Sequence, residues 1–498
     1  MRKKSSFKNL MSSFFPYIIV LILGFVKIDV FLASLGEEIY ALNQLFFQLF
    51  AYISLAEAGA SGYIVQLYYK HFVSDNKEQI KKIYRGSIRF MKKVATVVMS
   101  LGIVVSFFLK FLTNNNLGSF YMQVVFILFI LRSVIEYLML SPKLVMQADQ
   151  KLYRVNIVYY IFKVLELTFE IILLSLGVDY IVTILSSMVL RTFSYIVINH
   201  SVFKEYPWLR EKTINNDIKI KGINNMFVHR IAEAIHYNTD ILLASSFLSP
   251  FVVTIYSSYN YITKYLTDGV DILGNSISAS VGNFIYKEKN DDQITILNQL
   301  LSLYLVIAIF FCVVCYISIN SFISLWIGEK YIIDKLSLIF LITNLFIVIA
   351  RKPLNVYYTS AGWYRETRFI VIFEAITNLV FSLLLVRKYN ITGLLIATTI
   401  SLITTTFWYI PKFVIKDKLK QNLFPFWLRY FLSFAIVIVL SYMGNKIFSM
   451  ISINSYLSWF LVVILLSIIV TLIVFLIFYY GSQSFREIFK KIRLLIKF

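Results

Sequence analysis

Two stretches of this chain set ionisable residues on one helical face within otherwise apolar sequence. "HRIAEAIHYNTDILLASSF" places His229, Glu233, His236 and Asp240 at steps of four, three and four, the spacing of one side of an α-helix. "YSSYNYITKYLTDGVDILGNSISASVGN" does the same with Ser257, Asn260, Lys264, Asp268, Asp271, Asn275 and Ser278. A polar stripe several turns long suits water, ions or a hydroxyl-rich ligand and does not suit lipid. A carboxylate in such a place takes up a proton or a small cation, because burial disfavours the bare anion. Lys264 offers a charge to an anionic group, and the asparagine amides offer hydrogen bonds.

A fainter version stands earlier, with Lys27 and Asp29 in one apolar run and Ser54, Glu57 and Ser61 in the next. The hexapeptide "DVFLAS" (29 to 34) returns as "DILLAS" (240 to 245), an interval of 211 residues that also carries Glu57 to Asp268 and Tyr153-Arg154 to Tyr364-Arg365. One register kept over about 125 residues argues for two related halves, each entering the membrane from the same side. Four polar helix faces would then meet around a hydrated cavity. Asp29, Glu57, Asp240 and Asp268 are the candidate ion-coupling residues. Lys27, Lys264, Asn260, Tyr261, Asn275 and His236 are the candidate substrate-contacting residues of the cavity. Tyr261 joins them because Tyr256, Tyr259, Tyr261 and Tyr265 lie deeper than an interfacial aromatic belt, and a phenol ring can cover a sugar face while its hydroxyl binds the edge. Helix-to-helix pairing is the competing role for Lys264 with Asp268, Arg132 with Glu136, and Lys163 with Glu166. For Arg132, Glu136, Lys163, Glu166 and Glu170 the cavity and pairing readings both stand.

The elements that must position these residues are transmembrane helices. The 498 residues are 59% hydrophobic and 15% charged, with mean hydropathy +0.74, which excludes a water-soluble globule of this size. About fourteen apolar runs are long enough to span as helices. They cover 14 to 35, 41 to 66, 94 to 113, 119 to 141, 155 to 177, 180 to 200, 227 to 248 and 252 to 276, then 297 to 319, 336 to 360, 369 to 386, 393 to 411, 427 to 448 and 456 to 479. No strand-period alternation supports a barrel. The expected fold is an all-α polytopic membrane protein: an N-lobe over 1–200 (helices 1–6), a cytoplasmic linker over 201–226, a C-lobe over 227–411 (helices 7–12), and helices 13–14 with a basic tail over 412–498.

Lysine and arginine number 48 against 27 aspartate and glutamate, and their placement in alternate loops places both termini in the cytoplasm by the positive-inside rule. The basic excess therefore reports topology, and nucleic acid is not an expected partner. The first apolar run follows a basic start without a cleavage site and should stay in place as a helix. Cys312 and Cys315 sit in an apolar span and read as small core residues, and the four histidines are too scattered for zinc. No cofactor is expected beyond coupling protons or sodium.

Four segments resemble the polysaccharide repeat-unit flippases: "LGEEIYALNQLFFQLFAYISLAEAGASGYIVQLYYKHF" (35 to 72), "VMQADQKLY" (145 to 153), "LWIGEKYI" (325 to 332) and "TSAGWYRETRFIVIFEAITNLVFSLLLVRKYNITGLLIATTIS" (359 to 401). These are Wzx-type oligosaccharide translocases of the multidrug/oligosaccharidyl-lipid/polysaccharide exporter superfamily. The resemblance implies a two-lobed fold of twelve to fourteen helices in the bacterial cytoplasmic membrane. It also implies alternating-access transport of an undecaprenyl-diphosphate-linked glycan for surface polysaccharide biosynthesis, beside a polymerase and other assembly proteins. No bond is made or broken, so no catalytic residue is expected. The acidity of the expected cavity keeps a cation or drug exporter of the same fold in view. Glu37 and Glu38 do the same for a polytopic glycosyltransferase or polymerase, although such enzymes need a larger outer loop than any here.

Overall fold

The computed structural model describes residues 2–57, 60–211, 224–287, 290–448, 450–451 and 453–496, and it turns the apolar runs into long α-helices. The first are α1 (Arg2–Ile53), α2 (Ala60–Val73), α3 (Lys77–Ser106), the single turn α4 (Leu109–Leu112), α5 (Ser119–Ala148), α6 (Leu152–Ser175) and α7 (Tyr180–Glu205). After them come α8 (Asn224–Phe247), α9 (Pro250–Lys287), α10 (Asn290–Trp326), α11 (Lys335–Ser360) and α12 (Tyr364–Thr404). The short α13 (Thr406–Pro411) runs into a π-helical stretch, Lys412–Lys418, before α14 (Phe424–Phe448), α15 (Tyr456–Gly481) and α16 (Gln483–Ile496). The protein is an all-α, multi-pass membrane protein.

Among the described residues, eight helical segments are both long and apolar enough to cross a bilayer. Two of them bend into separate arms. α1 breaks at Gly36 (φ 75°, ψ 179°), where the missing Cβ makes a left-handed backbone accessible. α12 breaks at Asn390 (φ 49°, ψ −128°). Just past that break, a Cβ on Gly393 would stand 2.4 Å from the carbonyl oxygen of Leu385, so only glycine lets the two arms pass so closely. The helices α3, α6, α8 and α9 are also of spanning length, but charged or polar residues keep them out of the apolar set.

One expected span is corrected. Residues 41 to 66 do not form a continuous helix: α1 ends at Ile53, Ser54–Glu57 tighten into a 3-10 turn, and α2 starts at Ala60. Local side chains stabilise the break. Ser54 Oγ donates to the Ala51 carbonyl at 2.7 Å, and Glu57 accepts from the Ser61 amide at 3.3 Å and from its hydroxyl. The carboxylate thus satisfies an amide that the new helix start leaves bare. Elsewhere, helix starts follow from capping residues: Asn76, Asp179, Asp334 and Ser455 each accept from a first-turn amide.

By contacts the chain divides into two compact units, one of Met1–Ala234 with Ser245–Phe251 and the other of Ile235–Ala244 with Val252–Phe498. Inside the first, α1 packs on α6, α3 on α5, and α7 on both α5 and α6. Its aromatic centre joins Phe46, Phe126 and Phe129, with ring centroids 4.8 and 5.9 Å from Phe46. Inside the second, α10 is the hub and packs against α11, α14, α15 and α16. Cys312 and Cys315 are buried in α10 as free thiols.

Candidate functional site

In the first unit, ionic side chains from four helices meet. Helix α6 carries Lys163, Glu166 and Glu170 on one face, and α5 carries Arg132 and Glu136 one turn apart. Arg132 Nη1 donates to Glu170 Oε1 at 3.0 Å and lies 3.8 Å from Glu166 Oε1. Arg191 of α7 places Nε 2.9 and 3.1 Å from the two Glu166 oxygens and reaches Glu136 Oε1 at 2.6 Å through Nη1. Lys27 of α1 donates to Glu170 Oε2 at 2.6 Å, and Lys163 approaches Glu166 Oε2 at 3.5 Å. Glu166 and Glu170 are each only 3% exposed at the side chain. The intrahelical pair expected between Arg132 and Glu136 does not form, because packing offers each a partner on a neighbouring helix. The Lys163–Glu166 pair does form. Arg191 had no place in the sequence-level argument: a single arginine in an apolar run shows no partner until α7 is set beside α6.

The second unit handles a buried charge differently. Asp240 of α8 is 6% exposed. Its Oδ2 accepts from Tyr256 of α9 at 2.8 Å and from Thr398 at 3.2 Å, and its Oδ1 from Ser382 at 3.4 Å. Ser382 lies on the first arm of α12 and Thr398 on the second, so the break at Asn390 and the close pass at Gly393 bring both hydroxyls to one carboxylate. Asn378 Nδ2 donates to Thr398 Oγ1 at 3.2 Å, while Asn378 Oδ1 is buried without a hydrogen-bond partner. Among the described residues, no lysine or arginine pairs with Asp240. A buried carboxylate without a cation is costly, and hydroxyl donors offset only part of that cost. The carboxylate and hydroxyl oxygens gathered here are hard donors of the kind a proton or an alkali cation takes.

The other sequence-selected residues fall elsewhere. Asp29 is exposed on α1, although its hexapeptide matches the one led by Asp240. Glu57 caps the start of α2. Asn260, Tyr261, Lys264 and Asp268 share α9, with Lys264 exposed and the other three half-buried. Tyr261 packs edge-on to Tyr265 at 4.5 Å and near Trp326 at 6.3 Å. Tyr259 is a packing pin: its hydroxyl donates to Asn320 Oδ1 at 2.5 Å and accepts from the Ile333 amide at 3.2 Å. Asp271 pairs with Lys352 of α11. The side chains of His229, Glu233, His236, Asn275 and Ser278 lie outside the described residues. Sequence reasoning missed Asn378, Ser382 and Thr398. Their signal was present in "NLVFS", which sets Asn378 and Ser382 four residues apart on one face, but nothing local pointed that face at Asp240.

A second buried ion pair, Arg351 Nη1 with Glu374 Oε2 at 3.2 Å, joins α11 to α12, and Thr405 and Thr406 donate to the same carboxylate. Among the described residues, no cluster of three or more histidine, cysteine, aspartate or glutamate side chains could hold a metal ion.

No protein-family model matches the sequence, and no curated protein sequence matches it. Solved structures do. The chain is similar to the lipid II flippase MurJ in an inward closed conformation, with TM-score 0.69 and 15% identity over 94% of this chain and 98% of that one. It is also similar to an inward-facing multidrug resistance MATE family transporter of the MOP superfamily, with TM-score 0.59 and 12% identity over 86% and 94%. An outward-facing multidrug resistance MATE family transporter of the same superfamily aligns at TM-score 0.55 and 12% identity over 90% and 96%. These proteins and this chain share one fold.

Proposed function

We propose that this protein is a flippase that carries undecaprenyl-diphosphate-linked oligosaccharide repeat units from the inner to the outer leaflet of a bacterial cytoplasmic membrane. The assignment rests most on a fold shared over nearly the whole chain with a lipid II flippase. The segments that resemble repeat-unit flippases supply the substrate class. Two lobes, 1–200 and 227–411, rock about a central polar site in alternating access, with both termini in the cytoplasm. Lys264 attracts the diphosphate, while Asn260, Tyr261, Asn275 and His236 meet the sugars; Lys27, engaged by Glu170, stays with the ion-pair network. The glycan head crosses through the cavity while the lipid tail stays in the bilayer, and no covalent bond changes.

Asp240 is the coupling residue this reading favours. A proton or sodium ion held by Asp240, with Ser382, Thr398 and the Asn378 amide oxygen around it, neutralises a charge that the apolar interior penalises. Binding and release would then bias which lobe arrangement is populated. Asp29, Glu57 and Asp268 remain further coupling candidates. A polymerase and other assembly proteins would take the product.

The test is made in cells depleted of the protein. Re-expressed wild type should restore surface polysaccharide and clear accumulated lipid-linked repeat units, and Asp240→Asn at equal abundance should do neither. Full restoration by Asp240→Asn would remove the coupling role, and no accumulation on depletion would remove the flippase reading. A cation or drug exporter is the second reading, supported by the MATE-like fold and by Asp268 on α9. Uptake by inverted vesicles of an organic cation, with no translocation of lipid-linked glycan, would select it.

A further inference from the structure

The end of the second unit carries a feature that transport through the bundle does not use. α15 stops at Gly481 and α16 starts at Gln483, with Ser482 extended between them at φ −129° and ψ 113°. In a continuous helix, Phe475 and Phe489 would stand about 21 Å apart along the axis. Their ring centroids are 5.0 Å apart instead, and Tyr479 meets Phe489 at 6.2 Å. Each of the two phenylalanines is about 10 Å of helix from Ser482, so α16 turns sharply back across the end of α15. Phe485 closes the seam against Phe475 at 5.8 Å and Phe478 at 5.9 Å. One polar contact pins α16 to α10, where Gln299 Nε2 donates to Glu487 Oε2 at 2.9 Å, and a second holds the connecting residue, with the Ser302 and Ser482 hydroxyls 3.2 Å apart.

The two faces of α16 differ in chemistry. Phe485, Ile488 and Phe489 share one side, and Phe489 remains 37% exposed, as Leu472 and Leu476 of α15 are exposed. Arg486 and Lys490, one turn apart, are exposed on the other side. Glu487, the single acid of α16, is engaged by Gln299 and by Gln483 at 3.1 Å. Among the described residues, no carboxylate pairs with Arg486 or Lys490, and the sequence adds Lys491 and Arg493 just beyond.

We propose that α16 lies in the plane of the bilayer surface and binds the headgroups of anionic phospholipids in the leaflet where α15 ends. The length of α15 sets the depth. Its 26 residues span about 39 Å, enough to cross the hydrocarbon and end among headgroups. A helix folded across that end, apolar on one side and cationic on the other, has the character of an interfacial helix. Pinning the lone acid to α10 leaves the outer edge purely cationic, and so complementary to phosphate esters. The proposal depends on the membrane fold and not on the transported substrate.

The full-length protein, purified in neutral detergent, tests this by native mass spectrometry with phosphatidylglycerol or phosphatidylcholine added. Wild type should retain phosphatidylglycerol preferentially and lose it as salt rises. Arg486→Gln/Lys490→Gln should bind it more weakly by about 5-fold for each charge removed. Arg486→Lys/Lys490→Arg should bind like wild type, because a headgroup is held by charge at the surface. Equal affinity in the glutamine variant would overturn the proposal. So would complete displacement by glycerol 1-phosphate at equal concentration, which would mark a free-phosphate pocket. If the glutamine variant fails to fold, wild type alone decides: equal retention of the two lipids rejects the surface.

Discussion

Two buried acidic sites, one in each unit, pose one physical problem and meet it in opposite ways. Around Glu166 and Glu170, charge answers charge: Lys27, Arg132, Lys163 and Arg191 surround carboxylates that sit almost out of solvent. Around Asp240 the partners are neutral, a phenol and two aliphatic hydroxyls, with an amide oxygen left unpaired nearby. An ion pair of the first kind is locked, because losing one member strands another in an apolar interior. A carboxylate of the second kind has, among the described residues, no lysine or arginine fixed against it. The same contrast separates the twin hexapeptides. Asp29 is exposed while Asp240 is enclosed, so a repeated string of letters has two different electrostatic settings.

The largest expected effect comes from breaking the locked network. Glu166→Gln leaves Arg191 and Arg132 short of a counter-charge and should destabilise the protein by about 3–5 kcal/mol, seen as a large fall in the detergent thermal midpoint or as loss of folded material. A change below about 1 kcal/mol would mean that the network is solvated and that the contrast fails. Asp240→Asn should cost the fold about 1 kcal/mol or less, since it removes a buried charge and keeps an oxygen acceptor. What it should abolish is any rise in thermal midpoint when sodium chloride replaces choline chloride. If wild type and variant respond to sodium alike, sodium does not bind at this carboxylate.

The smallest effect sharpens the comparison outside the bilayer. Asp334, at the start of α11, has hydroxyl and amide donors as Asp240 has hydroxyls: Ser337 Oγ at 2.6 Å, and the Leu336 and Ser337 amides at 2.9 and 3.0 Å. Burial pushes its carboxyl up, but these hydrogen bonds outweigh burial and hold it below the usual carboxylate range. The stabilisation is therefore present above the ordinary value of about 4 and is lost as pH falls through the lowered one. Asp334→Ala should cost about 1 kcal/mol at neutral pH. Faster amide exchange in the first turn of α11 at pH 7, with little difference from wild type in strong acid, is the expected result.

Much of the fold could be read in advance because helix and bilayer constrain sequence locally. The breaks at Gly36 and Asn390 fall between separate apolar runs of the sequence, and α10, α11, α14 and α15 each contain the apolar run expected of them. The break at Ser54–Glu57 was hidden, because serine, alanine and glutamate within an apolar run are compatible with a helix until a carboxylate caps the next one. The site was only partly readable. Asp240 could be singled out from its cost in lipid, whereas Tyr256, Ser382 and Thr398 could not be assigned to it, since they come from two other helices.

By itself, the sequence determined that this chain crosses a membrane as helices and where the ionisable residues sit on those helices. Each of these follows from interactions spanning a few residues or from the thickness of the hydrocarbon. Only tertiary structure decided that Arg132 turns to Glu170 and not to Glu136, that Asp240 meets hydroxyls and no lysine or arginine among the described residues, and that α16 folds back over α15. Those outcomes depend on which helix faces are pressed together, and the energy of a buried charge is set by its neighbours across that seam.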